Sequence, residues 1–222
     1  MQNLSNRAQN IPAPLVTFVV TTSNQPVEYL VECLSSITQL SLNAKEREII
    51  LIDDGSEESP IQELAEFIDG IIYVRLPKLG NSMARNYGLL MARGKYIQFI
   101  EGDDYLLQAA YEHCLDLVRY HNPDIVTFEF GKNEGAEPSY VLPTPVNGTE
   151  YLGNNNILGS ACSYIFRRNI VGSLKFSPNI SFGEDEEFTP QLFLRAERIF
   201  KTNTSPYYNR VDKYAFSQLN DK

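Results

Sequence analysis

Three short acidic stretches carry most of the chemistry visible in this chain. The densest is Glu101-Gly102-Asp103-Asp104, three carboxylates in four residues directly after the apolar run 96–100. Carboxylates this close repel one another, and the repulsion is relieved by protonating one or by binding a hard, oxygen-seeking cation such as Mg2+ or Mn2+. The same residues also suit an acidic turn in which Asp103 or Asp104 caps a helix starting near Leu106. A second stretch, Asp53-Asp54-Gly55-Ser56, closes another apolar run. The third begins at Glu184-Asp185 and leads into Phe188, Leu192, Phe193 and Ala196 at helical spacing. Acids in a first helical turn are favoured by the macrodipole, and that position also suits a catalytic carboxylate.

Alternating apolar runs and helical patterns are what must position these groups. Strands are predicted at 15–20, 48–52, 71–74, 96–100 and 125–128. Helices are predicted after Pro26, from about Pro60, from Gly80-Asn81-Ser82 to about Ala92, and over 106–120. This alternation is the signature of βαβ units feeding a mostly parallel sheet flanked by helices. Ligands in open α/β sheets bind outside the carboxyl ends of the strands, so 21–24, Asp53-Asp54 and 101–104 are expected to share one crevice. Residues 131–159, rich in Gly, Pro, Asn, Ser and Thr, are expected to be long loops. Order returns at 164–168 and at the helix opened by Glu184.

Composition narrows the function. A chain of 222 residues with 43% hydrophobic and 11% aromatic residues suits one globular α/β domain. Its net charge of -9 argues against nucleic acid as a partner but allows a nucleotide substrate whose phosphates reach the carboxylates through a metal. Cys33, Cys114 and Cys162 are widely spaced, and with only His113 and His121 beside them a structural zinc site is not expected. They fit buried thiols in a reducing compartment. No apolar leader stands at the N-terminus and no apolar run is long enough to span a bilayer, so a cytoplasmic protein is expected.

In order and spacing these segments resemble the inverting family 2 glycosyltransferases of the nucleotide-diphospho-sugar transferase superfamily, which share the GT-A fold. Asp53-Asp54-Gly55-Ser56 matches the family's Asp-Asp-Gly-Ser element, and Val20-Thr21-Thr22-Ser23-Asn24 stands where an aliphatic-Pro-Thr-Tyr-Asn turn is usual. The stretch from Gly80 through Ala84-Arg85-Asn86-Tyr87-Gly88 resembles the segment leading into the metal motif, whose Asp-x-Asp-Asp is Glu101-Gly102-Asp103-Asp104 here. Glu184-Asp185 resembles the pair that carries the catalytic base, and Tyr207-Tyr208-Asn209-Arg210 the Tyr-Tyr-Tyr-Arg stretch after it.

The resemblance implies a Rossmann-like, mixed but mostly parallel sheet and a metal-dependent hexosyl transfer by one inverting displacement. The donor would be a nucleotide sugar, with uridine as the expected base, and the acceptor a saccharide or lipid-linked saccharide of cell-envelope polysaccharide synthesis. Asp185 would be the base beside Glu184. Asp103, with Glu101, would hold Mn2+ or Mg2+, and Thr22, Asp53, Asp54, Arg85 and Asp103 would hold the nucleotide. Residues 1–13 would be a flexible segment, 14–130 the donor half, and 131–222 an acceptor half truncated at its C-terminus. Peripheral association with the cytoplasmic membrane face is a further family-level expectation. Thr21, Ser23 and Glu101 depart from the pattern and motivate an alternative, a non-catalytic nucleotide-sugar or carbohydrate-binding module on the same fold. A nucleotidyltransferase has a similar core, but no glycine-rich phosphate loop follows the first strand.

Overall fold

The computed structural model describes residues 12–131, 142–156, 160–178 and 183–210. The predicted N-terminal segment up to residue 11, loop residues 132–141 and 157–159, Phe182 and the stretch after Arg210 lie outside them. The strands are β1 (Val16–Thr22), β2 (Arg47–Asp54), β3 (Ile72–Leu76), β4 (Tyr96–Glu101), β5 (Tyr105–Leu106), β6 (Ile125–Thr127), β7 (Phe130–Gly131), β8 (Tyr164–Arg167), β9 (Ile199–Lys201) and β10 (Tyr207–Tyr208). The helices are α1 (Val27–Thr38), α2 (Asn81–Met91), α3 (Gln108–Tyr120), α4 (Gly148–Asn154) and α5 (Glu184–Phe193).

A central sheet of seven strands runs in the order β3-β2-β1-β4-β8-β6-β9, and a small sheet of three runs β5-β10-β7. In the central sheet only β8 is antiparallel to its neighbours, β4 and β6. Every residue of β1 is buried, which is why it reads as an unbroken apolar run: helices cover both of its faces. Pairing of β8 with β4 binds the two predicted halves into one sheet. The α1 face carrying Leu30, Cys33, Leu34 and Ile37 is buried, as the helical spacing predicts.

Close packing of α2 on the sheet depends on Gly88. A Cβ there would lie 2.2 Å from Val19 Cγ1, so any side chain would push away the helix that also carries Arg85.

Local predictions fail where short polar contacts compete with periodicity. The helix expected after Pro60 is two short 3-10 segments, Pro60–Gln62 and Ala65–Gly70, and Ile68 is 45% exposed. Gly80, with φ 89°, is the N-cap of α2, a residue with no side chain to cap the helix. The helix expected from Leu106 starts at Gln108, because Leu106 pairs with Tyr207 in the small sheet. Within the loop expected over 131–159 the short helix α4 forms, capped by the Asn147 side chain accepting from Glu150 N. No helix among the described residues is long and apolar enough to cross a membrane.

Candidate active site

The carboxyl ends of β1, β2 and β4 enclose a crevice of about 260 Å³ lined by Thr21, Thr22, Ser23, Asp54, Asn81 and Glu101, among others. Its walls are turns stapled to each other. Ser23 Oγ donates to the Asp54 carbonyl at 3.1 Å, Asn24 N donates to Ser56 Oγ at 2.9 Å, and Glu57 N donates to Asn24 Oδ1 at 2.8 Å. The Thr22 hydroxyl donates to Gln25 Oε1 at 2.7 Å.

The two aspartates after β2 separate in role. Asp54 lines the crevice while its carboxylate accepts from Leu79 N at 2.7 Å and Gly80 N at 2.9 Å, fixing the entry into α2. Asp53 is fully buried, accepting from Ser56 N at 2.9 Å and Tyr73 hydroxyl at 2.7 Å, with Arg75 at 3.5 Å. Asp53, expected at the nucleotide, has its carboxylate engaged within the turn and by the neighbouring strand. Its neighbours consume the carboxylate, which shapes the turn instead.

Arg85 joins the other acidic stretches. One guanidinium nitrogen donates to Glu101 Oε1 at 2.6 Å, and the other reaches Glu184 Oε1 at 3.1 Å and Asp185 Oδ1. Asn81 Nδ2 adds weaker links to Glu101 and Glu184 at 3.4 and 3.3 Å. The Arg85 side chain is only 4% exposed and lies 5.3 Å from the Phe176 ring, which stacks on Phe188 at 3.9 Å. Burial opposes its charge, but the carboxylates around it win and hold its proton more tightly than usual. Arg85 thus lies beneath the crevice, tied to acids, where a contact to the nucleotide was expected.

Burial pushes the Asp185 carboxyl up to about 6, opposed chiefly by Arg85 and by Ala161 N–H, which donates to Oδ2 at 3.1 Å. A carboxylate with such a value is ionised near neutral pH and still basic enough to take a proton. Ala161 N and Asn81 could not be singled out in the sequence, because neither a backbone amide nor a helix-start asparagine carries a motif of its own.

Two departures from the family pattern touch each other. Thr21 and Glu101 are register partners on β1 and β4, and the Thr21 hydroxyl donates to Glu101 Oε2 at 3.1 Å. Proline could not make that bond, and the extra methylene of Glu101 over aspartate gives its carboxylate added reach between Thr21 and Arg85.

The acidic turn is gripped from the C-terminal side. Gly102 N donates to the Thr21 carbonyl at 2.8 Å, and a Cβ on Gly102 would meet Leu30 Cδ1 at 2.7 Å, so the turn lies flat against β1 and α1. Asp104 is buried rather than capping a helix. It accepts from Tyr207 hydroxyl at 2.7 Å, Asn209 Nδ2 at 3.1 Å and Arg210 N at 2.7 Å. Burial still raises it to about 6. Tyr207 hydroxyl also accepts from Glu101 N at 3.1 Å, and Arg210 Nε donates to the Asp103 carbonyl at 2.9 Å.

For a divalent ion the donor set is sparse. Glu101 is engaged by Arg85 and Thr21, Asp104 by the C-terminal residues, and among the described residues no three His, Cys, Asp or Glu side chains gather as a cation site. Asp103 is the third carboxylate of this stretch, half-buried on the turn. One carboxylate completed by substrate phosphates and water fits the way Mg2+ is held at nucleotide sites. Cys33, Cys114 and Cys162 are free and buried, and burial raises each thiol, so none is a poised nucleophile. A cavity of about 660 Å³ lies at the other end of the strands around Lys45, Arg47 and Arg93.

The glycosyl transferase family 2 profile matches residues 17–173, well over half of the chain. The minor teichoic acid biosynthesis protein GgaB of Bacillus subtilis (strain 168) is 28% identical over 193 residues, covering 82% of this chain and 21% of that protein. The uncharacterized glycosyltransferase EpsJ of the same organism is 28% identical over 223 residues, covering 93% and 64%. The chain therefore spans less than two thirds of either relative. TarS 1-349 of S. aureus in complex with UDP-GlcNAc superposes with a TM-score of 0.74 at 21% identity, over 91% of this chain and 60% of that one. A mannosyltransferase from Pyrobaculum calidifontis, in complex with GDP-Man and Mn2+, gives 0.67 at 14% identity, over 94% and 60%. At such identities the superpositions speak for the fold, and the profile for the family: this chain is a member of glycosyl transferase family 2 on the GT-A fold.

Proposed function

We propose that this chain is the catalytic unit of a glycosyltransferase that moves a sugar from a nucleoside-diphosphate donor, a UDP-sugar, to a hydroxyl of a saccharide or lipid-linked saccharide acceptor. The observation that carries the proposal is the buried Arg85, which ties the base candidate Asp185 to Glu101 at the rim of the crevice. TarS, a poly(ribitol-phosphate) N-acetylglucosaminyltransferase solved with UDP-GlcNAc, supports the choice of donor class.

The reaction is one displacement with inversion. The acceptor oxygen forms its bond to the anomeric carbon as the bond to the diphosphate oxygen breaks. The acceptor proton passes to the Asp185 carboxylate, and the nucleoside diphosphate leaves with the electron pair. Arg85 and Ala161 N–H hold one contact on each Asp185 oxygen, which leaves lone pairs to receive the proton. Asp103 would hold Mn2+ or Mg2+, which supplies positive charge to the departing diphosphate. Thr22 and Asp54 shape the floor where the nucleoside would sit. A cytoplasmic location, peripheral at the membrane face, is part of this proposal, and cell fractionation tests it.

A panel of UDP-, GDP- and dTDP-sugars, with and without Mn2+, tests the donor by thermal stability, since a ligand that binds the folded state raises its melting temperature. The expected result is a metal-dependent shift with UDP-sugars, lost in Asp103→Ala. Asp185→Asn should abolish transfer and keep that shift. Loss of donor binding in Asp185→Asn would mean that the base is misplaced. The departures Thr21 and Glu101, which bond each other at the crevice, favour as the second reading a binding module without catalysis. Donor binding with neither transfer nor donor hydrolysis would select it.

A further inference from the structure

A second cavity opens along the same carboxyl edge of the sheet as the crevice, over β8, β6 and β9. It measures about 620 Å³, within the range of ligand pockets. Tyr151 and Phe193, packed 5.3 Å apart, lie beneath it, and half-buried Phe130 supplies an aromatic surface. On the rim stand the consecutive carboxamides Asn154, Asn155 and Asn156. Two of these contacts are already organised: Lys201 Nζ donates to Asn155 Oδ1 at 2.9 Å, and Asn155 Nδ2 donates to the Tyr151 carbonyl at 2.9 Å.

We propose that this cavity is an acceptor subsite that takes a polyhydroxylated unit of the acceptor chain, one or more units away from the hydroxyl that reacts. A carboxamide both donates and accepts, as a hydroxyl does, so Asn154 and Asn156, on either side of the engaged Asn155, match a run of vicinal hydroxyls. Aromatic surface beside such a row suits the apolar C–H face of a sugar ring or alditol. Charge does not select an anion: the Lys201 ammonium shares the lining with the Glu129 carboxylate. Position links the cavity to the chemistry. Ser163, on its wall, ends the short turn Ala161–Ser163, and the first residue of that turn holds Asp185 through its backbone N–H. An acceptor seated over the carboxamides is thereby led along the sheet edge toward the base. The subsite rests on the transfer reading for its purpose, but its existence is a separate matter of binding.

The shared chemistry has two sources, the pyranose of a glycan or the alditol of a polyol-phosphate chain. Maltotetraose, chitotetraose and a ribitol-phosphate tetramer serve as probes, titrated by NMR onto the full chain and onto two variants. Asn154→Ala/Lys201→Ala trims the rim, and Asn154→Trp fills the cavity from an exposed position. At least one probe should bind saturably, about fivefold more weakly to the trimmed variant, as lost hydrogen bonds predict, and not detectably to the filled one. Both variants should keep the wild-type melting temperature and its shift with UDP-GlcNAc. Binding of none of the three probes, or equal binding to wild type and both variants, overturns the subsite. Cavity-dependent probe binding without any response to a UDP-sugar would instead overturn the transfer reading and leave a carbohydrate-binding site.

Discussion

Arg85→Met removes the one cation that pairs with Glu101, Glu184 and Asp185 among the described residues. Its side chain is 4% exposed and the three acids are 29%, 13% and 12% exposed, so water screens the loss poorly. A contact pair at an effective dielectric near 20 is worth roughly 4 kcal/mol before desolvation. Breaking a buried pair from one side typically costs about 3–5 kcal/mol. For a chain of this length that corresponds to a fall in melting temperature on the order of 10 °C. The pH dependence is the sharper test. Asp185 already sits at about 6, above its unfolded value, because burial outweighs Arg85. Without Arg85 it rises further. A raised carboxylate contributes stability that is fully present below its unfolded pKa and lost as pH rises through the folded one. The deficit of Arg85→Met should therefore be largest at pH 7–8 and shrink toward pH 4. Differential scanning calorimetry across that range reads it directly, and Asp185→Asn in the same background should recover part of the loss. A deficit under about 1 kcal/mol, or one that does not change with pH, would refute the account of Arg85 as the charge that the acids require.

Thr21→Val and Glu101→Asp should each lower stability, and a double-mutant cycle should return a coupling of about 0.5–1.5 kcal/mol for their hydrogen bond; additive losses in chemical denaturation would deny the contact. Gly88→Ala should cost about 1–3 kcal/mol by forcing α2 off Val19, and less in a Val19→Ala background, as measured by urea unfolding. Tyr207→Phe removes the hydroxyl that bonds both Asp104 and Glu101 N. It should cost about 1–3 kcal/mol in urea unfolding and weaken Mn2+-dependent UDP-sugar binding by calorimetry, whereas unchanged binding would separate the clamp from the acidic turn. If Asp185 is the base, the rate of transfer should fall on the acid side with a midpoint near 6.

What periodicity could show was shown where an apolar run is buried whole. β1, β2 and β4 were legible because both of their faces are covered, and their carboxyl ends do enclose the crevice that strand order implied. Elements made by few residues were not: the 3-10 turns after Pro60 and the short helix α4 have too little apolar face to imprint a period. Among the site residues, Asp54, Thr22, Glu101, Arg85, Glu184 and Asp185 do come together. Asp53 does not, because Tyr73 and Arg75 from the neighbouring strand claim it. Motif matching treats Arg85 and Glu101 as separate contacts to a ligand. Their mutual pairing is a property of side-chain length and burial, which spacing along the chain does not encode.

The grip of Tyr207 and Arg210 on the acidic turn has a consequence for the order in which the protein is made. Asp103 and Asp104 are translated over a hundred residues before the groups that fix them, since the bonds to Glu101 N, Asp104 and the Asp103 carbonyl span 103–107 positions. A nascent chain that has released β1 to β4 from the ribosome has its sheet centre but not a locked acidic turn. Domains form as they emerge, so the nucleotide half can collapse early while the turn stays loose until the last described strand docks. Chains stopped short of residue 207 should therefore fold in part and bind no metal-linked donor, so that donor uptake waits until Tyr207 and Arg210 have been made.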